Sequence, residues 1–129
     1  MIGTIVSSNI TPHFSKAEMA CQDCGLYYPD NMLKLCEWLE LLRQDYGPML
    51  VISGHRCPAR NVRLGGASSS QHLVSLAADI LVNRDSDRFK LVKLGLVRGA
   101  HGVGIGRSIV HFDLRTTAIN VMWTYPVRG

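Results

Sequence analysis

SSSQHLVSLAAD, residues 68–79, places a histidine, His72, and an aspartate, Asp79, seven positions apart. A straight strand would hold them roughly 23 Å apart at about 3.3 Å per residue. A single helix would hold them roughly 10 Å apart. Neither lets both side chains reach one ion, so if both are ligands the chain must fold back between them. Ser75, in the small and apolar run LVSLAA, is where the bend is expected, with a strand after it that points Asp79 inward. A second stretch, IVHFDLR, residues 109–115, alternates apolar and polar residues. In a strand, Val110, Phe112 and Leu114 face one side and His111, Asp113 and Arg115 the other. One face is core and the other carries chemistry. Two imidazoles and one carboxylate, His72, His111 and Asp79, suit zinc, and a fourth position left to water suits a catalytic rather than a structural site. Asp79 lies in the apolar segment AADIL, where an ionised carboxylate is costly to bury unless paired or bound to metal. Asp113, about 7 Å along the strand from His111, is within reach to orient a ligand, contact metal-bound water or anchor Arg115.

The remaining chain reads as one soluble domain. It has 129 residues, 47% of them hydrophobic, which is enough for a single core and too few for two. No linker, repeat or low-complexity tract divides it. The formal charge of +4 and a pI near 9.1 suit an anionic partner. No Lys/Arg cluster is interleaved with aromatics, so nucleic acid is not the expected one. The opening MIGTIVSSNITPHF has neither a charged n-region nor a sustained apolar stretch. It reads as neither a signal peptide nor a membrane span, and synthesis in the cytoplasm is expected. Nothing requires more than a monomer.

Local signals place the motifs. Ser15 and Glu18 have capping-box spacing at the start of a short helix. The longest helix is expected from about Asn31 to Tyr46, with Asp30 before it, Met32, Leu35, Leu39, Leu42 and Tyr46 along one stripe, and Gly47-Pro48 ending it. A strand, Met49 to Ser53, follows. Asp85 or Ser86 is expected to cap a later helix carrying Phe89, Val92 and Leu96 and closed by Gly99. The alternating GVGIG, residues 102–106, is no phosphate loop, since no helix start or lysine follows; it reads as a strand or turn whose backbone passes near the cleft. His101 just before it reads as exposed, with a place lining the cleft as its alternative. The tail INVMWTYPV reads as a last strand with Trp123 and Tyr125 on one face. Cys21 and Cys24 form a CxxC, in principle half of a structural zinc site or a redox pair, but no second pair follows, and Cys36 and Cys57 are spaced too irregularly for a ribbon. The expectation is a reduced pair, or a disulfide formed only after release. Cys36 reads as core.

These motifs together resemble the zinc D-Ala-D-Ala carboxypeptidases and L-Ala-D-Glu endopeptidases, whose fold is shared by the zinc domain of hedgehog signalling proteins. The family's serine, histidine, glycine, alanine and aspartate are matched by Ser70, His72, Ser75, Ala77 and Asp79. Its S-G-[YF]-R tract, asparagine and Gly-Gly-Ala are matched by Ser53, Gly54, His55, Arg56, Asn61, Gly65, Gly66 and Ala67. Its late strand is matched by Val110, His111, Asp113 and Arg115, and FSKAEMAC looks like the opening of the small members, many of them from phages and their hosts. The resemblance spans about Phe14 to Arg115. It implies a single α+β domain, residues 1–129, with a central antiparallel sheet and helices packed against it. The chain departs from the pattern at three places. Ser75 replaces a glycine, which suits a bend without positive φ. His55 replaces an aromatic. Ser108 stands three residues before the last ligand, where many relatives carry a carboxylate general base.

The resemblance implies metal-assisted hydrolysis of a peptide bond in peptidoglycan, whose stem-peptide carboxylates would suit the basic chain. Zinc would lower the pKa of its water from about 15.7 to about 7 and polarise the scissile carbonyl. Arg56 would orient a substrate carboxylate or stabilise the oxyanion. Ser70 and His55 are the further substrate contacts expected. Asp113 is the base nominated in place of Ser108, with a bridge to Arg115 or a hydrogen bond to a ligand as its alternative role. A wall enzyme made in the cytoplasm would act after release or as part of a virion, as a phage lysin does. The alternative is a non-enzymatic zinc domain that binds cell wall or a protein partner, which the missing carboxylate at Ser108 keeps open.

Overall fold

The structure, a computed structural model, describes residues 8–126. Residues 1–7, part of the stretch read for a leader, and Val127, the end of the strand-like tail, lie outside the described residues. The chain begins with a hairpin, β1 (Asn9–Thr11) and β2 (Phe14–Ser15), which runs straight into a one-turn helix, α1 (Lys16–Met19). Ser15 and Glu18 form the expected capping box: Ser15 Oγ accepts from the Glu18 N–H, and the Glu18 carboxylate accepts from the Ser15 N–H. After a turn comes the long helix α2 (Pro29–Tyr46), then β3 (Val51–Ser53), the short helix α3 (Pro58–Arg63) and a 3-10 turn, Gln71–Val74. The remainder alternates β4 (Ala77–Leu81), α4 (Asp85–Val97), β5 (Gly102–Ile105), β6 (Ile109–Asp113) and β7 (Val121–Thr124).

Five strands form one sheet in the order β3-β4-β6-β5-β7. The fold is α+β as expected. The first four strands pair antiparallel, and β7 runs parallel to β5. The reason is topological: the chain reverses once after β6, passes β5 and pairs on its far side, and a strand antiparallel to β6 is then parallel to β5. One face of the sheet carries Ala78, Ile80, Val103, Val110 and Phe112, all buried, against α2 and α4. The other face carries Asp79, His111 and Asp113. The alternation of IVHFDLR therefore divides core from chemistry as read.

α2 supplies most of the helical core. Met32, Leu35, Leu39 and Leu42 are buried on its expected stripe, joined by Cys36 and Trp38. Burying each such side chain contributes roughly 1.5–3 kcal/mol. The helix starts two residues before its expected beginning because Pro29, with its fixed φ and no N–H to satisfy, occupies the first turn. Asp30 lies inside that turn, where its charge complements the helix dipole. Gly47 ends the helix at φ 101°.

One expectation for α4 is corrected. Its N-cap is Arg84, with no side-chain cap, while Asp85 and Asp87 lie in the first turn. Phe89, carried on this helix as expected, is 72% exposed. The helix turns Leu91 and Gly95 inward instead, because Gly95 receives the Phe112 ring: a Cβ there would stand 2.2 Å from Phe112 Cε1. Trp38 packs edge-on against the same ring at 5.4 Å and donates its indole N–H to the Arg98 carbonyl beyond the helix end.

The bend between His72 and Asp79 falls at Ser75 as expected, but with φ 63°, in the left-handed region. The expectation that the bend avoids positive φ is thus corrected. That conformation costs a residue with a Cβ roughly 1–2 kcal/mol. The hydroxyl offsets it, since fully buried Ser75 Oγ accepts from the Tyr28 N–H at 2.9 Å and lies 2.8 Å from His55 Nδ1. Ser75→Ala should keep the backbone cost, orphan the Tyr28 N–H and lower stability by about 1–3 kcal/mol. Ser75→Gly loses the same bonds but relieves the left-handed residue, so it should be the milder change by about 1 kcal/mol. Equilibrium urea unfolding of both variants tests this; an alanine variant as stable as the parent would contradict it.

Candidate metal centre

Antiparallel register brings two of the three candidate ligands together. Asp79 on β4 stands directly opposite His111 on β6. His72 arrives from the 3-10 turn, whose first residue is preceded by Ser70, the N-cap, with its Oγ accepting from the His72 N–H at 3.2 Å. One ligand atom from each of His72, Asp79 and His111 falls within 4.8 Å of the others, and all three residues are buried. His72 Nε2 lies 3.2 Å and His111 Nδ1 3.0 Å from the same oxygen, Asp79 Oδ1.

Each imidazole has its other nitrogen occupied, which sets the tautomer. His72 Nδ1 lies 2.7 Å from the Gly54 carbonyl and donates to it, leaving Nε2 to face Asp79 Oδ1. His111 Nε2 lies 2.8 Å from Asp113 Oδ2 and donates there, leaving Nδ1 for the centre. Such outer partners fix ring orientation and raise ligand basicity. The second oxygen of Asp79 is taken by Arg56 Nη2 at 3.0 Å, so only Oδ1 remains for an ion.

The electrostatics favour a cation at this point. Burial raises the carboxyl of Asp79, but hydrogen bonds from His111 and His72 outweigh it and hold the group well below the usual carboxylate range. Burial likewise raises Asp113, and its bonds to Arg115 and His111 bring it well below that range. Burial depresses His111, yet the two flanking carboxylates, Asp113 first and then Asp79, lift it above the ordinary imidazole value. The two buried carboxylates beside the ring favour positive charge there, which a divalent ion at Nδ1 would supply. Two imidazole nitrogens and one carboxylate oxygen form a donor set that fits zinc, leaving a further coordination position toward the cleft.

The cleft has a volume of about 640 Å³ and is lined by His72, Asp79 and His111, with Arg56, Ser70 and Gln71 on one side and Arg115, Trp123 and Tyr125 on the other. Arg56 is held by Ser53 Oγ at 3.0 Å and Asn61 Oδ1 at 3.4 Å as well as by Asp79. Trp123 stands 5.0 Å from the His111 ring and beneath Arg115, whose guanidinium carbon lies 5.5 Å from the indole centre. The GVGIG strand makes room for this wall. Gly104 sits between His111 and Trp123 in the sheet, and a Cβ there would stand 2.7 Å from the indole nitrogen. At Gly102 a Cβ would stand 2.2 Å from Asp113 Oδ2.

Of the other residues read from sequence, Ser70 and Arg56 do line the cleft. His55 does not: it is buried, bonded to Ser75 and 5.3 Å from the Tyr28 ring, so it braces the bend below the site rather than facing a substrate. Asp113 is fully buried behind His111 and is held by Arg115 Nε at 2.8 Å and Nη2 at 2.7 Å. Both alternative roles read for it, the hydrogen bond to a ligand and the bridge to Arg115, are realised at once. Ser108 is exposed and is not among the residues that line the cleft. His101 is exposed, with Nδ1 2.8 Å from the Arg115 carbonyl. Trp123 and the Gly54 carbonyl also belong to the site, without being evident from the sequence. The first shows only as an aromatic on an edge strand, and a backbone acceptor leaves no sequence signal.

The cysteines differ from expectation. Cys24 is joined to Cys57, not to Cys21, in a disulfide that closes a span of 33 residues, and Cys36 is buried in the core as read. No helix among the described residues is long and apolar enough to cross a membrane. No curated protein matches the chain. The profile of the family described as Peptidase M15 matches residues 12–113, a span that contains His72, Asp79, His111 and Asp113. By that match the chain belongs to the peptidase M15 family.

Proposed function

We propose that this chain is a zinc peptidase that hydrolyses a peptide bond in peptidoglycan stem peptides or cross-links, as a D-Ala-D-Ala carboxypeptidase or an endopeptidase, and serves as a phage lysin. It would meet the wall after release or as part of a virion. The observation that carries the reading is the convergence of His72 Nε2, Asp79 Oδ1 and His111 Nδ1 at the floor of a cleft, each braced from behind. When bound there, zinc supplies a Lewis acid that acidifies water and polarises a carbonyl.

The chain's own residues do the rest. Arg56 presents its guanidinium to the cleft from a fixed position and is suited to hold a substrate carboxylate or a developing oxyanion. Trp123 and Tyr125 wall the opposite side and offer apolar surface to the substrate. Asp79 is the only carboxylate among the described residues that line the cleft, and it is a ligand. Asp113 reaches the reaction only through His111 and Arg115, so we assign it as a positioning residue that keeps the His111 proton on Nε2, rather than as the base.

Three outcomes test this reading. The purified chain, incubated with muropeptides, should release products one peptide bond shorter by mass only when loaded with about one equivalent of zinc at this centre, and chelation should stop the reaction without unfolding the chain. No cleaved bond with any divalent metal would leave the non-enzymatic zinc domain as the answer. Asp113→Asn should bind zinc about 10–100-fold more weakly and recover turnover in excess zinc; full zinc occupancy without turnover would make Asp113 the base after all. Arg56→Ala should lower kcat/KM by about 10²–10³ with zinc content unchanged, and an unaltered kcat/KM would remove Arg56 from the machinery.

A further inference from the structure

A second group of metal-binding side chains lies outside the cleft. Cys21 and Cys24 belong to the sequence CQDCG after α1, and Cys57 is the N-cap of α3. The three Sγ atoms all lie within 4.8 Å of one another. A disulfide accounts for two sulfurs and leaves the third unexplained. Cys21 is buried, and its sulfur accepts from the Cys57 N–H at 3.4 Å.

The backbone is shaped around that sulfur. Gly25, at φ 71°, donates its N–H to the Cys21 carbonyl at 2.8 Å and closes CQDCG into a tight turn. The thiolate is the form that ligates metal. The Cα atoms of Cys24 and Cys57 stand 7.3 Å apart, wider than the roughly 4.4–6.8 Å usual for disulfides. Three sulfurs at about 2.3 Å from one zinc would lie roughly 3.8 Å from each other, a spacing that suits the wider backbone separation.

We propose that in the reduced chain Cys21, Cys24 and Cys57 form a second metal site, which holds a thiophilic divalent ion such as zinc with its fourth position open to solvent beside exposed Cys24. Reaching that form takes two electrons. A phosphine reductant opens the Cys24–Cys57 bond, gains oxygen from water to become the phosphine oxide, and leaves two thiols; each ligating thiol then gives up its proton as the metal binds. The ion would fasten the CQDCG turn to the start of α3, next to Arg56. Asp23 ties the same two segments through ion pairs with Arg60, at 3.0 Å, and Arg63.

Cobalt separates this site from the one in the cleft, because only the cysteine site can give thiolate-to-cobalt charge-transfer absorption. The full chain, reduced with a phosphine and stripped of metal, should bind two equivalents of Co2+ and develop that absorption in the near ultraviolet, and zinc should bleach it. His111→Ala should bind about one equivalent fewer and keep the band. Cys57→Ser should weaken the cobalt that gives the band about tenfold or more. A reduced parent chain that binds cobalt without charge-transfer absorption overturns the proposal, with no variant needed. A band whose cobalt affinity is unchanged by Cys57→Ser overturns it equally.

Discussion

The register between β4 and β6 is the constraint on which the site depends. With Asp79 opposite His111, the two ligands share one face and their neighbours Ala78, Ile80, Val110 and Phe112 share the other. A slip of either strand by one residue would turn all of that strand's side chains to the opposite face. The core would then receive Asp79, with Ile80 in the cleft, or His111 and Asp113, with Phe112 in the cleft. Hydrophobic burial against α2 and α4 therefore enforces the register, and the register brings the candidate ligands together. The same row continues across the sheet through Gly104 to Trp123, so one line of strand positions carries a ligand pair, a gap and an aromatic wall.

Burying this much charge requires compensation, and the chain supplies it in a connected set. Asp79 is shared by Arg56 and two imidazoles, and Asp113 by Arg115 and His111. Each carboxylate faces one guanidinium, so the pair of acids and the pair of bases balance. Breaking one such buried pair by removing a single partner typically costs about 3–5 kcal/mol. The arginines thus neutralise the buried carboxylates as well as bordering the cleft. Bonds from Gly54 and Asp113 to the back of each histidine extend the set outward and choose which nitrogen faces the ion.

Much of this was legible in the sequence because it is periodic or sterically forced. The seven-residue interval from His72 to Asp79 demanded a bend, and IVHFDLR announced its two faces. The apolar stripe of α2 matched its burial. What was not legible depends on partners distant in sequence. Ser75 accepts a left-handed backbone because Tyr28 and His55 bond its hydroxyl. Phe89 is exposed because Gly95, a turn and a half further on, admits Phe112 and rotates the helix. His55 is drawn beneath the bend by the same Ser75 hydroxyl. Asp113 withdraws behind His111 because Gly102 has no side chain to obstruct it and Arg115 neutralises it. The direction of β7 depends on its joining the β5 edge of the sheet, which no local pattern encodes.

The most direct measurement is the anomalous difference density of zinc-loaded crystals, collected at the zinc absorption edge. The account requires a peak bonded at about 2.0–2.2 Å to His72 Nε2, Asp79 Oδ1 and His111 Nδ1, with Asp113 still behind His111. Density elsewhere, or a His111 ring that offers Nε2 to the metal, would contradict it.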